Sequence, residues 1–147
     1  MQKLSERIYS VGVNDEDKVL FEGLWPLPFG VSYNSYMVVD EKVALIDTVE
    51  CGFEEEFLAN VHAVIGERHV DYLIVNHMEP DHSATIQELV RKYPGVKIVC
   101  NAKTAAMLGQ FADVECETVT VSEGEIFKAG DHELSFVMAP MVHWPEV

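Results

Sequence analysis

An α/β fold is predicted for this chain of 147 residues, and three observations carry the prediction. Short apolar runs alternate with stretches of helical periodicity through the middle of the chain, the pattern of strand, loop and helix that builds layered α/β proteins. The opening third is β-rich, with short turns between its runs. A cluster of histidines and carboxylates follows directly on an apolar strand, Tyr72-Leu73-Ile74-Val75, at the strand's carboxyl end, where such folds hold their ligands.

The elements follow in order. A first strand is predicted near Arg7 to Val13, then an irregular stretch whose Pro26 and Pro28 oppose regular structure. Strands around Ser32 to Val39 and Val43 to Ile46 are joined at Asp40-Glu41 as a hairpin. A helix is expected from Phe53 to Ile65, because Phe53, Phe57, Val61, Val64 and Ile65 form one apolar stripe at helical spacing. The acids Glu54, Glu55 and Glu56 suit its first turn, where the helix dipole is positive. After the strand ending at Val75, Thr85 and Glu88 have capping-box spacing and Ile86, Leu89, Val90 and Tyr93 repeat on one face, so a helix runs to Lys92 before Pro94-Gly95 stops it. A strand at Lys97 to Cys100 precedes a helix over 101–108 with Asn101 as its N-cap. Strands near Glu117 to Val121 and Glu133 to Met138 finish the chain, and no repeat, low-complexity tract or linker divides it.

Composition narrows the function. The net charge of −15 excludes nucleic acid and anionic membrane surfaces as partners, since both require Lys and Arg to neutralise phosphate. No apolar run approaches the ~20 residues needed to cross a bilayer, and the start Met1 to Arg7 has no apolar signal region, so the cytoplasm is expected. Three widely spaced cysteines, Cys51, Cys100 and Cys116, suit a reducing compartment and read as structural, Cys100 as a buried small hydrophobe.

The chemistry is concentrated in His77-Met78-Glu79-Pro80-Asp81-His82, which places four good metal ligands in six residues. Side chains alternate in extended backbone, so His77, Glu79 and Asp81 leave one side, and a turn after Pro80 brings His82 round beside them. Four donors exceed what one metal takes from so short a loop, and they divide into His77 with Glu79 and Asp81 with His82. A pair of ions roughly 3.5–4 Å apart can clamp a small oxygen-containing molecule. A further histidine, His143, follows the apolar run Glu133 to Met138 and is expected on the same sheet edge. Asp47, at another strand end, is a candidate to support the loop from behind, and Met78 reads as a spacer turned toward the core. His62, His69 and His132 are given no metal role.

This loop resembles the metal loop of the metallo-β-lactamase fold in its flavodiiron form, the A-type flavoproteins that reduce oxygen and nitric oxide. Hydrolases of the fold carry a second His where this chain has Glu79. The resemblance extends to Gly30-Val31-Ser32-Tyr33-Asn34-Ser35-Tyr36, Lys42 to Thr48, and Met141-Val142-His143-Trp144-Pro145-Glu146. It implies the amino-terminal portion of an αββα sandwich, with residues 1–147 as an incomplete metallo-β-lactamase-like domain and no flavodoxin-like domain. It also implies two irons, one held by His77, Glu79 and His143 and the other by Asp81 and His82, with a bridging Asp and a final His beyond this stretch. O2 or NO would be the substrate and FMN the electron relay. A flavodoxin-like domain or a rubredoxin-type donor would be the electron partner, and the protein a homo-oligomer with head-to-tail dimers. Two other readings compete: a zinc hydrolase of the same fold, which Glu79 disfavours, and a non-catalytic truncated fragment.

Overall fold

A computed structural model describes residues 1–147. In chain order its strands and helices are β1 (Gln2–Lys3), β2 (Ile8–Ser10), β3 (Val13–Asp15), β4 (Leu20–Phe21), β5 (Trp25–Pro26), β6 (Val31–Tyr33), β7 (Tyr36–Val39), β8 (Val43–Ile46), α1 (Glu54–Ile65), β9 (Tyr72–Ile74), α2 (Pro80–Ser83), α3 (Ile86–Lys92), β10 (Lys97–Cys100), α4 (Ala102–Phe111), β11 (Thr118–Thr120), β12 (Ile126–Ala129) and β13 (His132–Ser135).

One seven-stranded sheet, in the order β1-β2-β7-β8-β9-β10-β11, organises the molecule. Its first half is antiparallel, and β8, β9, β10 and β11 run parallel, joined by helical crossovers. Because side chains alternate across a strand, each strand feeds two cores. Met37, Leu45, Leu73 and Ile98 point to the helical side and pack with Phe57 and Val61 of α1, Leu89 of α3 and Leu108 of α4. Val38, Ala44, Ile74 and Val99 point the other way, toward Phe127 and Leu134 of the β12–β13 hairpin. The predicted stripe of α1 is present: Phe57, Val61 and Ile65 are its buried residues.

Two expected strands are each split. The first breaks at Val11-Gly12 and the second at Asn34-Ser35, where the chain leaves the main sheet so that β3 and β6 can pair in a small sheet of their own. The corner requires glycine at position 12: a Cβ there would lie 2.1 Å from the Tyr33 carbonyl oxygen. Gly30 is equally constrained, with φ +73° and a hypothetical Cβ 2.2 Å from Asp15 O. The proline-rich stretch holds a short hairpin, β4 with β5, in which Pro26 takes a terminal strand position that requires no donor in the middle of a ladder.

Asn101 caps α4 as expected, its side chain accepting from the backbone N–H of Lys103 and Thr104 at 2.9 Å each. Thr85 occupies the N-cap position of α3 without capping it. Its hydroxyl is drawn instead into the core between layers, donating to Val49 O and accepting from Val49 N at 3.2 Å each. The expected strand over 133–138 is also different in kind. It pairs only with β12, outside the main sheet, and regular structure ends at Ser135. No helix is long and apolar enough to cross a membrane.

Candidate metal centre

The carboxyl ends of β8, β9 and β10 share one edge, and the loops leaving it carry Asp47, the segment from Asn76 to His82, and Asn101. Asp47 adopts φ 55°, an uncommon conformation for a residue with a side chain, and this aims its carboxylate along the edge. There it accepts from Asn76 N at 2.7 Å and from His77 N at 3.3 Å. Asp47 thus ties down the start of the loop through backbone amides. Extended geometry persists only to Glu79 (φ −60°, ψ 140°), and Pro80 then opens the single turn of α2. Asp81 and His82 therefore sit on a helical turn, where the sequence reading had Asp81 continuing the extended alternation. Thr48 holds that turn from the neighbouring strand end, donating from N and Oγ1 to His82 O at 2.8 and 2.9 Å. Met78 is buried in the helical-side core.

His143 arrives by a route that strand periodicity does not describe. After β13 the chain runs through turns, with Met141 at φ 66° and His143 at φ 112°. This segment is closed by Met141 N donating to Trp144 O at 2.9 Å and Ala139 N to Val147 O at 2.7 Å. The Trp144 ring meets His77 edge-on, 5.5 Å between centroids at 86°, so the indole forms one wall of the cluster.

The structure brings His77, Glu79 and His143 together, with one donor atom of each inside a span of 4.8 Å. Glu79 Oε2 is the common point, 3.1 Å from His77 Nε2 and 2.5 Å from His143 Nε2. Two imidazoles and one carboxylate form the donor set that suits non-haem ferrous iron. Asp81 and His82 lie alongside. The His82 ring is 5.4 Å from that of His77, with Asp81 Oδ2 3.7 Å from His82 Nε2 and Asp47 Oδ2 3.6 Å from His82 Nδ1. Asp81 Oδ1 and His82 Nδ1 are buried and make no hydrogen bond. Unpartnered buried acceptors are costly unless something binds them, and a cation is the partner that a carboxylate oxygen and a neutral imidazole nitrogen both accept. The residues present therefore fit a metal pair.

Electrostatics favour the same occupant. Burial raises Glu79, but contacts from His143 and His77 outweigh it and hold the carboxyl below its ordinary range. Burial raises Asp81, partly offset by His82, and burial lowers His82, so one is disposed to keep its proton and the other to lose it. Burial pushes Asp47 up to about 7 against the backbone donors that favour its charge. A nearby cation would oppose the upward shifts of Asp81 and Asp47 and deepen the downward shift of Glu79, since positive charge favours each carboxylate.

Residues 31–147 match the ODP family beta lactamase. The chain belongs to that family. Among ODP-family relatives, the flavo-diiron protein FprA2 of Clostridium acetobutylicum is 34% identical over 98% of this chain and 36% of its own length. The anaerobic nitric oxide reductase flavorubredoxin of Vibrio vulnificus is 35% identical over 97% of this chain and 30% of its own length. The solved structure of rubredoxin oxygen:oxidoreductase from Desulfovibrio gigas superposes with a TM-score of 0.92 at 31% identity, over 99% of this chain and 36% of that one. This ODP-family chain thus spans about a third of the length of the relatives it matches. It corresponds to the amino-terminal part of the metallo-β-lactamase-like domain of flavodiiron proteins, an α/β architecture.

Two contributors carry no signal in the sequence beyond their place at the ends of the segments Lys42 to Thr48 and Met141 to Glu146: Thr48, which holds the turn of His82, and Glu146. Glu146 is fully buried, and its Oε1 lies 2.9 Å from His77 Nδ1 across 69 residues of sequence. No local pattern signals a contact of that range.

Proposed function

We propose that this chain forms the metal-holding part of a diiron oxidoreductase of the flavodiiron type, which reduces O2 to water, NO to N2O, or both, with electrons from FMN. The observation that carries the reading is the convergence of His77, Glu79 and His143 on one point, with Asp81 and His82 beside them holding unpartnered buried donor atoms. Relatives named flavo-diiron protein, nitric oxide reductase and rubredoxin oxygen:oxidoreductase support an oxidoreductase. Glu79 supports iron over zinc, because a carboxylate in place of a third imidazole makes the shell harder.

His77, Glu79 and His143 would hold one iron, and Asp81 and His82 the other. When bound, the ions supply electrons and a Lewis-acidic seat for a small oxygen-containing molecule. The chain's own residues set that seat. Asp47 and Thr48 anchor the loop at both ends, so His77 and His82 are held in fixed relation before any ligand arrives. Trp144 shields His77 from water on one side. His143, half exposed, borders the open side by which a gas would enter. FMN belongs to a flavodoxin-like domain, with a rubredoxin-type donor upstream, in a cytoplasmic homo-oligomer. Residues 1–147 are read as the opening part of the metallo-β-lactamase-like domain.

The test is metal analysis of the full-length protein followed by anaerobic reduction and electrode measurement of O2 and NO consumption. About two irons per chain and gas consumption that His77→Ala abolishes are expected. Zinc at both positions, with ester or amide hydrolysis and no gas uptake, would refute the reading.

A further inference from the structure

We infer that Glu146 is a positioning residue for the metal centre: its carboxylate selects the Nδ1–H tautomer of His77 and locks the segment carrying His143 onto the loop carrying His77. The inference rests on reading His77 as a metal ligand, and deepens it.

Glu146 Oε1 accepts from Met78 N at 2.9 Å and lies 2.9 Å from His77 Nδ1. An oxygen that already accepts one amide hydrogen faces Nδ1 with its remaining lone pair, so Nδ1 is the donor. A neutral imidazole has one N–H, and with that hydrogen on Nδ1 the lone pair is on Nε2. Nε2 is the atom turned toward Glu79 and His143, where without a cation it can donate to Glu79 Oε2 at 3.1 Å and with one it presents its lone pair. The ring is thereby set in both tautomer and direction, the arrangement in which a carboxylate behind a histidine raises its strength as a ligand.

The same residue joins two loops remote in sequence. Its backbone oxygen accepts from Asn101 Nδ2, the residue that also caps α4, and Pro145 O accepts from Lys103 Nζ at 3.1 Å. The end of the His143 segment is therefore fixed to the sheet edge through β10 and α4, and to the metal loop through the Glu146 side chain. That carboxylate is fully buried, and its second oxygen has no partner. Burying an acid with half its capacity unused is unfavourable, which argues for a role served by the used half. The uncommon backbone conformations of Met141 and His143 lie in the turn that this anchor closes.

Long-range proton–nitrogen NMR on the metal-free full-length protein reads the tautomer directly, and anaerobic titration with ferrous ion alone reads affinity. Wild type should show a hydrogen on His77 Nδ1, whether or not Nε2 also carries one toward Glu79. Glu146→Gln keeps the acceptor oxygen and the volume, so it should fold, keep that hydrogen and bind ferrous ion about 10–100-fold more weakly. Glu146→Ala should shift His77 toward Nε2–H. His77 Nδ1 without a hydrogen in wild type overturns the inference, and so does ferrous affinity unchanged in both variants. Absence of ferrous binding by wild type would instead refute the iron reading, and the metal-free tautomer measurement would still decide the role of Glu146.

Discussion

Glu79 and His143 meet at 2.5 Å, Oε2 to Nε2, although 64 residues separate them. Their contact brings the last turn of the chain over the metal loop and completes the two-imidazole, one-carboxylate set with His77. Each of the two has a different mechanical standing. Glu79 is buried and His143 is half exposed.

That difference couples stability to binding. His143→Ala removes a half-exposed ring but leaves the buried Glu79 carboxylate with one partner fewer, so the metal-free protein should lose about 1–3 kcal/mol of folding stability. Ferrous binding should fall as well, since one of three donors is lost. Thermal melts paired with anaerobic iron titration check both halves, and unchanged stability would show that the Glu79 contact is not felt in the metal-free fold.

Glu79→His converts the loop toward the pattern of the fold's hydrolases. A shell richer in imidazole follows the general preference for zinc over ferrous iron, so the iron-to-zinc ratio of the full-length protein should fall. Elemental analysis of wild type and variant from the same growth medium checks this. Unchanged iron content with unchanged gas consumption would remove Glu79 as the discriminating ligand.

Asp47 gives a pH signature in the metal-free protein. Burial pushes its carboxyl up to about 7, while in the unfolded chain it titrates near 4. The folded state then holds the proton more tightly, so stability from the neutral form is full below about pH 4 and is lost as pH rises to about 7. Asp47→Asn stays neutral and can still accept from Asn76 N and His77 N. The variant should therefore gain on wild type as pH is raised from about 5 to about 8. Denaturant melts across that range check the trend, and a constant difference would show that burial of Asp47 is not felt as charge.

Gly12→Ala should be costly despite the smallness of the change. The new methyl would lie 2.1 Å from Tyr33 O and 2.8 Å from Ser35 N, both backbone atoms that cannot swing aside. A loss of about 1–3 kcal/mol is expected, the range for overpacking. Ser35 Oγ donates to Asp47 O at 2.9 Å, so the shift should also reach the residue that anchors the metal loop. Calorimetry of the metal-free variant measures the first effect and ferrous titration the second.

Residues 1–147 expressed alone should self-associate and show no sustained O2 or NO reduction. Val137, Met141 and Val142 are 77%, 73% and 70% exposed, and the sheet face carrying Ile46 and Ile74 opens into a cavity beside Phe136 and Met138. The flavodiiron pattern would place five of its seven ligands within residues 1–147. Light scattering and a gas electrode check the two statements, and turnover comparable to a full-length relative would contradict the second.

The sequence by itself determined the elements whose cause is local. The stripe of α1, the cap at Asn101 and the hairpin at Asp40-Glu41 each follow from spacing along a few residues. The donor types of the candidate centre were legible for the same reason, being packed into His77 to His82. Tertiary structure alone decided the rest. It split strands at Gly12 and Asn34-Ser35, because approach to Tyr33 from another strand is not written in either segment. It drew Thr85 away from its helix and into a contact with Val49. It brought His143 to Glu79 through turns rather than from a strand in the main sheet, and set Glu146 behind His77. Periodicity reports which face of an element is apolar, whereas the meeting of two loops depends on how separate elements pack, and that is fixed only when the whole core closes.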